Sequence, residues 1–481
     1  MARLPACAMA IAVLSACAAP RAQVRAAADT VTAGDWPRFG FDAARSSASP
    51  ENTGFTAANV STLRRQQITL EDGVDASPIF LGAVTVNGAT VDALFVTTHY
   101  GKTIAVDANA GSVLWTFTPS EYTTWFGSRQ ITASTPVADP NRQFIYAPSP
   151  DGRVQKLAVA DGRAVWSTAI TLLPQREKIG APLNYANGRV IATTGGYIGD
   201  APPYQGHVAI LDAQSGALLH VWNSLCSDRP GLLDPRTCPE SGSAIWGRAG
   251  AVVDPDTGNI LVATGNGRWD GRTYWGDATL VLDSDATRLI ASYTPTNTAD
   301  LDRTDLDIGS TSPVVLGGGF VAQGGKDHLI RLLSVQQMPV GVTGGELQTI
   351  ATPSGSGLFS APAVWHAADG TWVFTADFGG TAAWVLRDGL LRQQWRSPYG
   401  GTSPVVANGL LFVHDPGAGL RIYDAQGGAV VATLAAGSAH WGSPIVVPGF
   451  VALAEYTTPG REGVLDVWRL PIRRRPGRPR A

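Results

Sequence analysis

One short pattern recurs along the chain and limits what it can fold into. A small or hydroxylated residue and a Pro open an apolar run at Ala76-Ser-Pro-Ile-Phe80, Ser134-Thr-Pro-Val-Ala138, Gly180-Ala-Pro-Leu-Asn184, Thr311-Ser-Pro-Val-Val315, Ser360-Ala-Pro-Ala-Val364, Thr402-Ser-Pro-Val-Val406 and Gly442-Ser-Pro-Ile-Val446. An eighth copy, Arg248-Ala-Gly-Ala-Val-Val253, lacks the Pro. A second apolar run follows each opening, as in Phe144-Ile-Tyr-Ala147 or Leu411-Phe-Val-His414. A third run then enters a turn and ends on Trp or an apolar substitute, as in Thr103-Ile-Ala-Val-Asp-Ala-Asn-Ala-Gly-Ser-Val-Leu-Trp115 and the stretch from His207 to Trp222. In such a turn the Asp side chain accepts from its own backbone and the Gly supplies a positive φ. The Trp is then free to pack between neighbouring sheets.

Four short strands per unit, repeated eight times, is the pattern of an all-β, eight-bladed β-propeller. The last unit has only three strands of its own. Residues 63–70, Leu-Arg-Arg-Gln-Gln-Ile-Thr-Leu, provide the fourth, so the ring is expected to close with an N-terminal strand that covers an open sheet edge. The expected boundaries are a signal at 1–17, a lead-in at 18–60, the propeller at 61–470 and a basic, disordered tail at 471–481. With 55 Gly and 14 Trp the composition suits short strands and tight turns. A charged fraction of 16% and a net charge of -3 give no overall pull toward nucleic acid or membrane.

The first residues place one Arg before a short apolar run, which reads as a secretory signal. Leu14-Ser-Ala-Cys17 resembles the lipobox of bacterial lipoproteins and predicts lipid on Cys17, hence a periplasmic, lipid-anchored protein. Cleavage near Ala26-Ala-Ala28 would instead give a soluble secreted protein. Outside the signal region only Cys226 and Cys238 remain, and a pair in an oxidising compartment predicts a disulfide stapling a surface loop. The chain has no phosphate-binding Gly loop, no Gly-x-Ser-x-Gly elbow, no His-Glu-x-x-His and no Cys-x-x-Cys-His.

The repeat resembles that of the pyrroloquinoline quinone (PQQ) propeller family, and Asp35-Trp-Pro-Arg-Phe-Gly-Phe-Asp-Ala-Ala-Arg-Ser46 resembles its N-terminal segment. The family includes quinoprotein dehydrogenases and binding scaffolds without cofactor. In the former a quinone lies at the propeller axis beside a calcium ion. Thr264-Gly-Asn-Gly267 resembles the family's Thr-Gly-Asn, which implies Asn266 as a calcium ligand. Read alone, Asn266-Gly267 is a hairpin turn. Asp305-Leu-Asp-Ile-Gly-Ser-Thr-Ser-Pro313 resembles the segment of the catalytic base and implies Asp307 in that role and as a metal ligand. Gly325-Lys326 implies a cation at the quinone oxygens, Ala244-Ile-Trp-Gly247 implies Trp246 as the stacking ring, and Arg129 is a candidate for a cofactor carboxylate. The family's adjacent Cys-Cys pair is absent. Its Glu ligand is also missing, and Asp200 offers a carboxylate in a differing loop. The resemblance implies either a calcium- and PQQ-dependent dehydrogenase of small alcohols or a non-catalytic scaffold that binds partner proteins at the outer membrane.

Overall fold

The computed structural model describes residues 31–456 and 462–471. The signal with Cys17 and most of the basic tail lie outside the described residues. Eight blades of four antiparallel strands follow one another in chain order, and the lead-in strand Ala48–Ser49 adds a fifth, parallel strand to blade seven. Blade one runs from Ile79–Val86 to Val113–Phe117, blade two from Val137–Ala138 to Ala164–Ala169 and blade three from Asn184–Ala186 to Leu218–Asn223. Blade four runs from Val252–Val253 to Leu289–Tyr293, blade five from Val314–Gly317 to Gln348–Ala351 and blade six from Ala363–Ala367 to Leu390–Ser397. Blade seven runs from Val405–Ala407 to Val430–Leu434. Blade eight takes three strands from Ile445–Val447 to Gly463–Arg469 and its fourth from the N-terminal strand Arg64–Leu70, which pairs antiparallel with Gly463–Arg469. No described helix is long and apolar enough to cross a membrane.

The repeated turn works as its residues dictate. Asp107 Oδ1 accepts from the N–H groups of Asn109 and Ala110, at 2.8 and 2.9 Å, and Gly111 takes a φ of 75°. Where the last strand carries a Trp at this place, as in blades one, two and six, the ring docks on the next blade. Trp115 donates to Val159 O at 2.9 Å and lies where a Cβ on Gly162 would touch it, and Trp395 docks likewise on Ala425 and Gly428. A side chain at either Gly would push the ring away and separate two sheets.

The lead-in residues 36–49 are part of the core. Trp36 is buried and bridges Phe80 of blade one. Backbone N–H groups of Ala138, Val253, Val364 and Val406, in the first strands of blades two, four, six and seven, donate to the carbonyls of Pro37, Ala43, Ser46 and Ser47 at 2.8–2.9 Å. Arg45, 1% exposed, donates to Phe39 O and Leu183 O at 2.6 and 2.8 Å. One chain segment thus crosses the first strands of most blades. Cys226 and Cys238 are disulfide-bonded in the loop after blade three.

Candidate active site

Seven blades bring the same part of their repeat to one place. The segments just before the first strands of blades one to six and eight contribute Asp75, Arg129, Lys178, Trp246, Asp307, Phe359 and Trp441 to a cavity of about 740 Å³. A point shared by equivalent positions of a ring is its axis. On the side of the lead-in, Arg248 is buried at the cavity with its guanidinium 5.0 Å from the Phe39 ring centroid.

In blade four the strand Ile260–Ala263 runs into Thr264-Gly-Asn-Gly267, and the next strand begins only at Thr279. This is no two-residue hairpin. Neither Asn266 nor Gly267 takes the positive φ that a type I′ turn needs. Backbone bonds pin the loop instead: Gly265 N donates to Ala244 O at 2.8 Å and Asp277 N to Gly265 O at 3.0 Å. In blade five Asp305 ends the helix Thr298–Thr304 in a left-handed conformation, φ 56°, and Asp307 starts the short 3-10 turn Ile308–Ser310 without capping it. Gly309 lets that turn lie on Thr264-Gly265. A Cβ there would come within 2.4 Å of Gly265 N.

These two loops assemble one polar cluster. Asn266 Nδ2 donates to Asp305 Oδ1 at 2.6 Å. Lys326 Nζ lies 2.5 Å from the same oxygen and 2.6 Å from Asp307 Oδ2. The ammonium is 5.2 Å from the Trp246 ring centroid. Asn266 Oδ1 and Asp307 Oδ1 are buried without a hydrogen-bond partner. Burial pushes the Asp307 carboxyl above its usual range, against the charge of Lys326. Burial also works against the Lys326 ammonium, but Asp307 and Asp305 outweigh it and hold its pKa up. Arg129 reaches the same cavity from the loop before blade two, so all five candidate residues border one space.

Several residues of the site carry no sequence signal. Asp305 is the acceptor shared by Asn266 and Lys326. Asp277 is fully buried, and burial followed by the charge of Asp307 lifts its pKa to about 8. It follows Trp275-Gly276 in a loop with no distinguishing spacing. Lys178 and Arg248 belong to loops whose convergence is set by ring closure. The loop after Gly195-Gly196 sends Ile198, 82% exposed, and Asp200 into the cavity. Among the described residues no three His, Cys, Asp or Glu side chains converge as a metal site. A planar quinone nonetheless fits the aromatic face of Trp246 and the cations around it. The two orphaned oxygens of Asn266 and Asp307 are donors of the hard type that a cation such as calcium takes.

Repeat, ring and axial cavity together define an eight-bladed β-propeller, and comparison with known proteins bears out its resemblance to the PQQ propeller family. The family described as outer membrane protein assembly factor BamB matches residues 55–229. A polyvinylalcohol dehydrogenase from a Pseudomonas species is 25% identical over 268 residues, 53% of this chain and 39% of that protein. Quinohemoprotein alcohol dehydrogenase ADH IIB of Pseudomonas putida is 27% identical over 217 residues, 40% of this chain and 28% of that protein. The chain thus spans well under half the length of these relatives. In structure it is similar to quinohemoprotein alcohol dehydrogenase from Comamonas testosteroni, with a TM-score of 0.66 at 15% identity over 91% of this chain and 80% of that one, which speaks to the fold alone.

Proposed function

We propose that the protein is an exported quinoprotein dehydrogenase that holds PQQ and calcium at the propeller axis and oxidises a small alcohol. The observation that carries this reading is the convergence of Asn266, Asp307, Lys326 and Trp246 on one cavity. When bound, PQQ supplies a two-electron acceptor. Asp307 Oδ1, buried and unpartnered, is the acceptor for the hydroxyl proton of the alcohol, and its burial makes it more basic than an exposed carboxylate. Lys326 bridges two carboxylates and presents its ammonium to the cavity, where it would polarise a quinone oxygen. Trp246 would carry the ring, Arg129 would meet a carboxylate of the cofactor, and Asn266 with Asp307 would hold calcium. The names of the relatives support an alcohol as the substrate, a polymeric one in the case of polyvinylalcohol dehydrogenase.

A second reading, a scaffold for partner proteins at the outer membrane, draws on the matched family description and on Ile198 in the loop where a Glu ligand is wanted. Titrating purified protein with PQQ and calcium separates the two. The first reading expects a rise in melting temperature, since a ligand bound only by the folded state stabilises it, and dye-linked oxidation of ethanol that Asp307→Asn abolishes. A wild type that responds to neither ligand leaves the scaffold. Lipid anchoring through Cys17 belongs to the proposal. Cys17→Ser should release the protein from membranes, and a wild type already soluble with another N-terminus would refute the anchor.

A further inference from the structure

Lys178 is a lysine without a partner, held at the cavity. It lies in the two-residue strand Glu177–Lys178, paired with Gly195–Gly196. Side chains alternate along a strand. Glu177 turns into the protein, where its carboxylate meets His207 Nε2 at 3.2 Å and the N–H of Gln205 at 3.0 Å. Lys178 turns the other way and lines the cavity. Its stem lies over Gly180, where a Cβ would come within 2.6 Å of Lys178 Cε. Among the described residues its ammonium makes no hydrogen bond and no ion pair, and the Tyr197 ring centroid is 5.9 Å away.

The acidic groups that act on its charge, Asp75 and Asp200, form no ion pair with it. Asp75 accepts from the N–H of Trp441 at 2.6 Å, and its backbone carbonyl accepts from Arg248 at 3.3 Å. Asp200 lines the cavity without pairing with the lysine. Blades one to three, with Arg248, place three cations against the two carboxylates of Asp75 and Asp200, while the cluster of blades four and five places Lys326 against Asp305 and Asp307. The two sides of the cavity therefore carry opposite net charge.

We infer that Lys178 is an anion anchor, which pairs with a carboxylate of the planar ligand whose ring lies against Trp246. This rests on the PQQ reading for the ligand's identity. The lysine itself calls only for an aromatic carboxylate. A charge-assisted hydrogen bond in such a site corresponds to a ten- to hundredfold change in Kd, by the ~1.5–3 kcal/mol such bonds contribute. The test is isothermal titration of the full chain and of Lys178→Ala and Lys178→Arg with two ligands. One is PQQ with calcium, the other benzene-1,2,4-tricarboxylate in calcium-free buffer. Lys178→Ala should weaken both ligands at least tenfold and leave the unliganded melting temperature unchanged or raised, because no protein group loses a bond. Lys178→Arg should keep binding within a few-fold. Unchanged affinity of Lys178→Ala for PQQ would overturn the anchor and leave the cofactor reading intact. Tricarboxylate binding that needs Lys178, in a protein that ignores PQQ, would support the anchor and sink that reading. A wild type that binds neither ligand would overturn both.

Discussion

Two places in the ring solve the same electrostatic problem, one cation between two acidic groups, and put it to different use. At the closing seam Arg65, on the N-terminal strand, lies between Glu455, at 2.6 Å, and Asp466, both on strands of blade eight. At the axis Lys326 lies between Asp305 and Asp307. The seam is sandwiched between strands, with Asp466 fully buried and the Trp468 ring 5.8 Å from the guanidinium. The axial cluster borders a cavity, and the Asp305 side chain is 72% exposed. The cation types follow. The planar guanidinium bonds several acceptors in fixed directions, whereas an ammonium is a compact point charge that another cation can replace. The seam is a clamp, and the axial cluster is a seat.

The largest effect should come from removing the clamp with its strand. Deletion through residue 70 exposes the edge of Gly463–Arg469 and the apolar residues packed behind it. We expect aggregation or loss of the cooperative transition in circular-dichroism melts. A truncated protein that melts like the parent would break the comparison at its root.

Single charges come next. Arg65→Met leaves Glu455 and Asp466 buried together and should cost about 3 kcal/mol near pH 8, the scale of a broken buried pair. Burial and the neighbouring Asp466 already hold the Glu455 pKa up. An acid with a raised folded pKa is most stabilising when protonated, so part of the loss should return at pH 5. Lys326→Met frees Asp305, which faces water, at little cost and leaves Asp307, buried at the cavity wall, to take up a proton, so it should cost less, about 1–2 kcal/mol. Equal losses in urea melts would mean that the seat is a clamp as well.

Asp277 sharpens the contrast through pH. Its pKa, lifted to about 8 by burial and by Asp307, sits above the unfolded value of 3.8. The stability it contributes is fully present below pH 4 and is lost as pH rises through about 8. Asp277→Asn should remove that dependence and stabilise the protein at pH 7 relative to the wild type. Parallel melting curves for the two proteins from pH 5 to 8 would refute it.

The repeat was legible because each signal is local. The Pro openings, the Asp-led turns with their Gly and the Trp before the next blade act within a few residues or on one neighbour. Asn266, Asp307, Lys326 and Trp246 stand out in the sequence because their loops resemble a known pattern, and they border one cavity. Lys178, Asp277 and Arg248 do not, because only ring closure brings together loops of different length and composition. The bonds of the lead-in run to the first strands of most blades, and no residue pattern announces such long-range pairing.

The smallest expected effect is the most specific test of the seat. Asn266→Asp places a second carboxylate against Asp305, to which the Asn266 amide now donates at 2.6 Å. Without ligand this removes a hydrogen bond and adds like-charge repulsion. Asp305 is exposed, so the cost should stay near 0.5 kcal/mol at low salt and shrink in 0.5 M salt, as interactions of exposed charges do. A hairpin turn would have been indifferent, since Asp-Gly turns as well as Asn-Gly, but the backbone here is not a hairpin. If Asn266 and Asp307 form a cation seat, the variant gains a charged oxygen for calcium, a hard ion that favours carboxylates. Calcium should then raise the melting temperature of Asn266→Asp more than that of the wild type. The substitution would be unfavourable in the empty protein and favourable in the loaded one. A purely structural cluster predicts the same small loss with and without calcium, and that result would leave Lys326 as the only cation the cluster was built to hold.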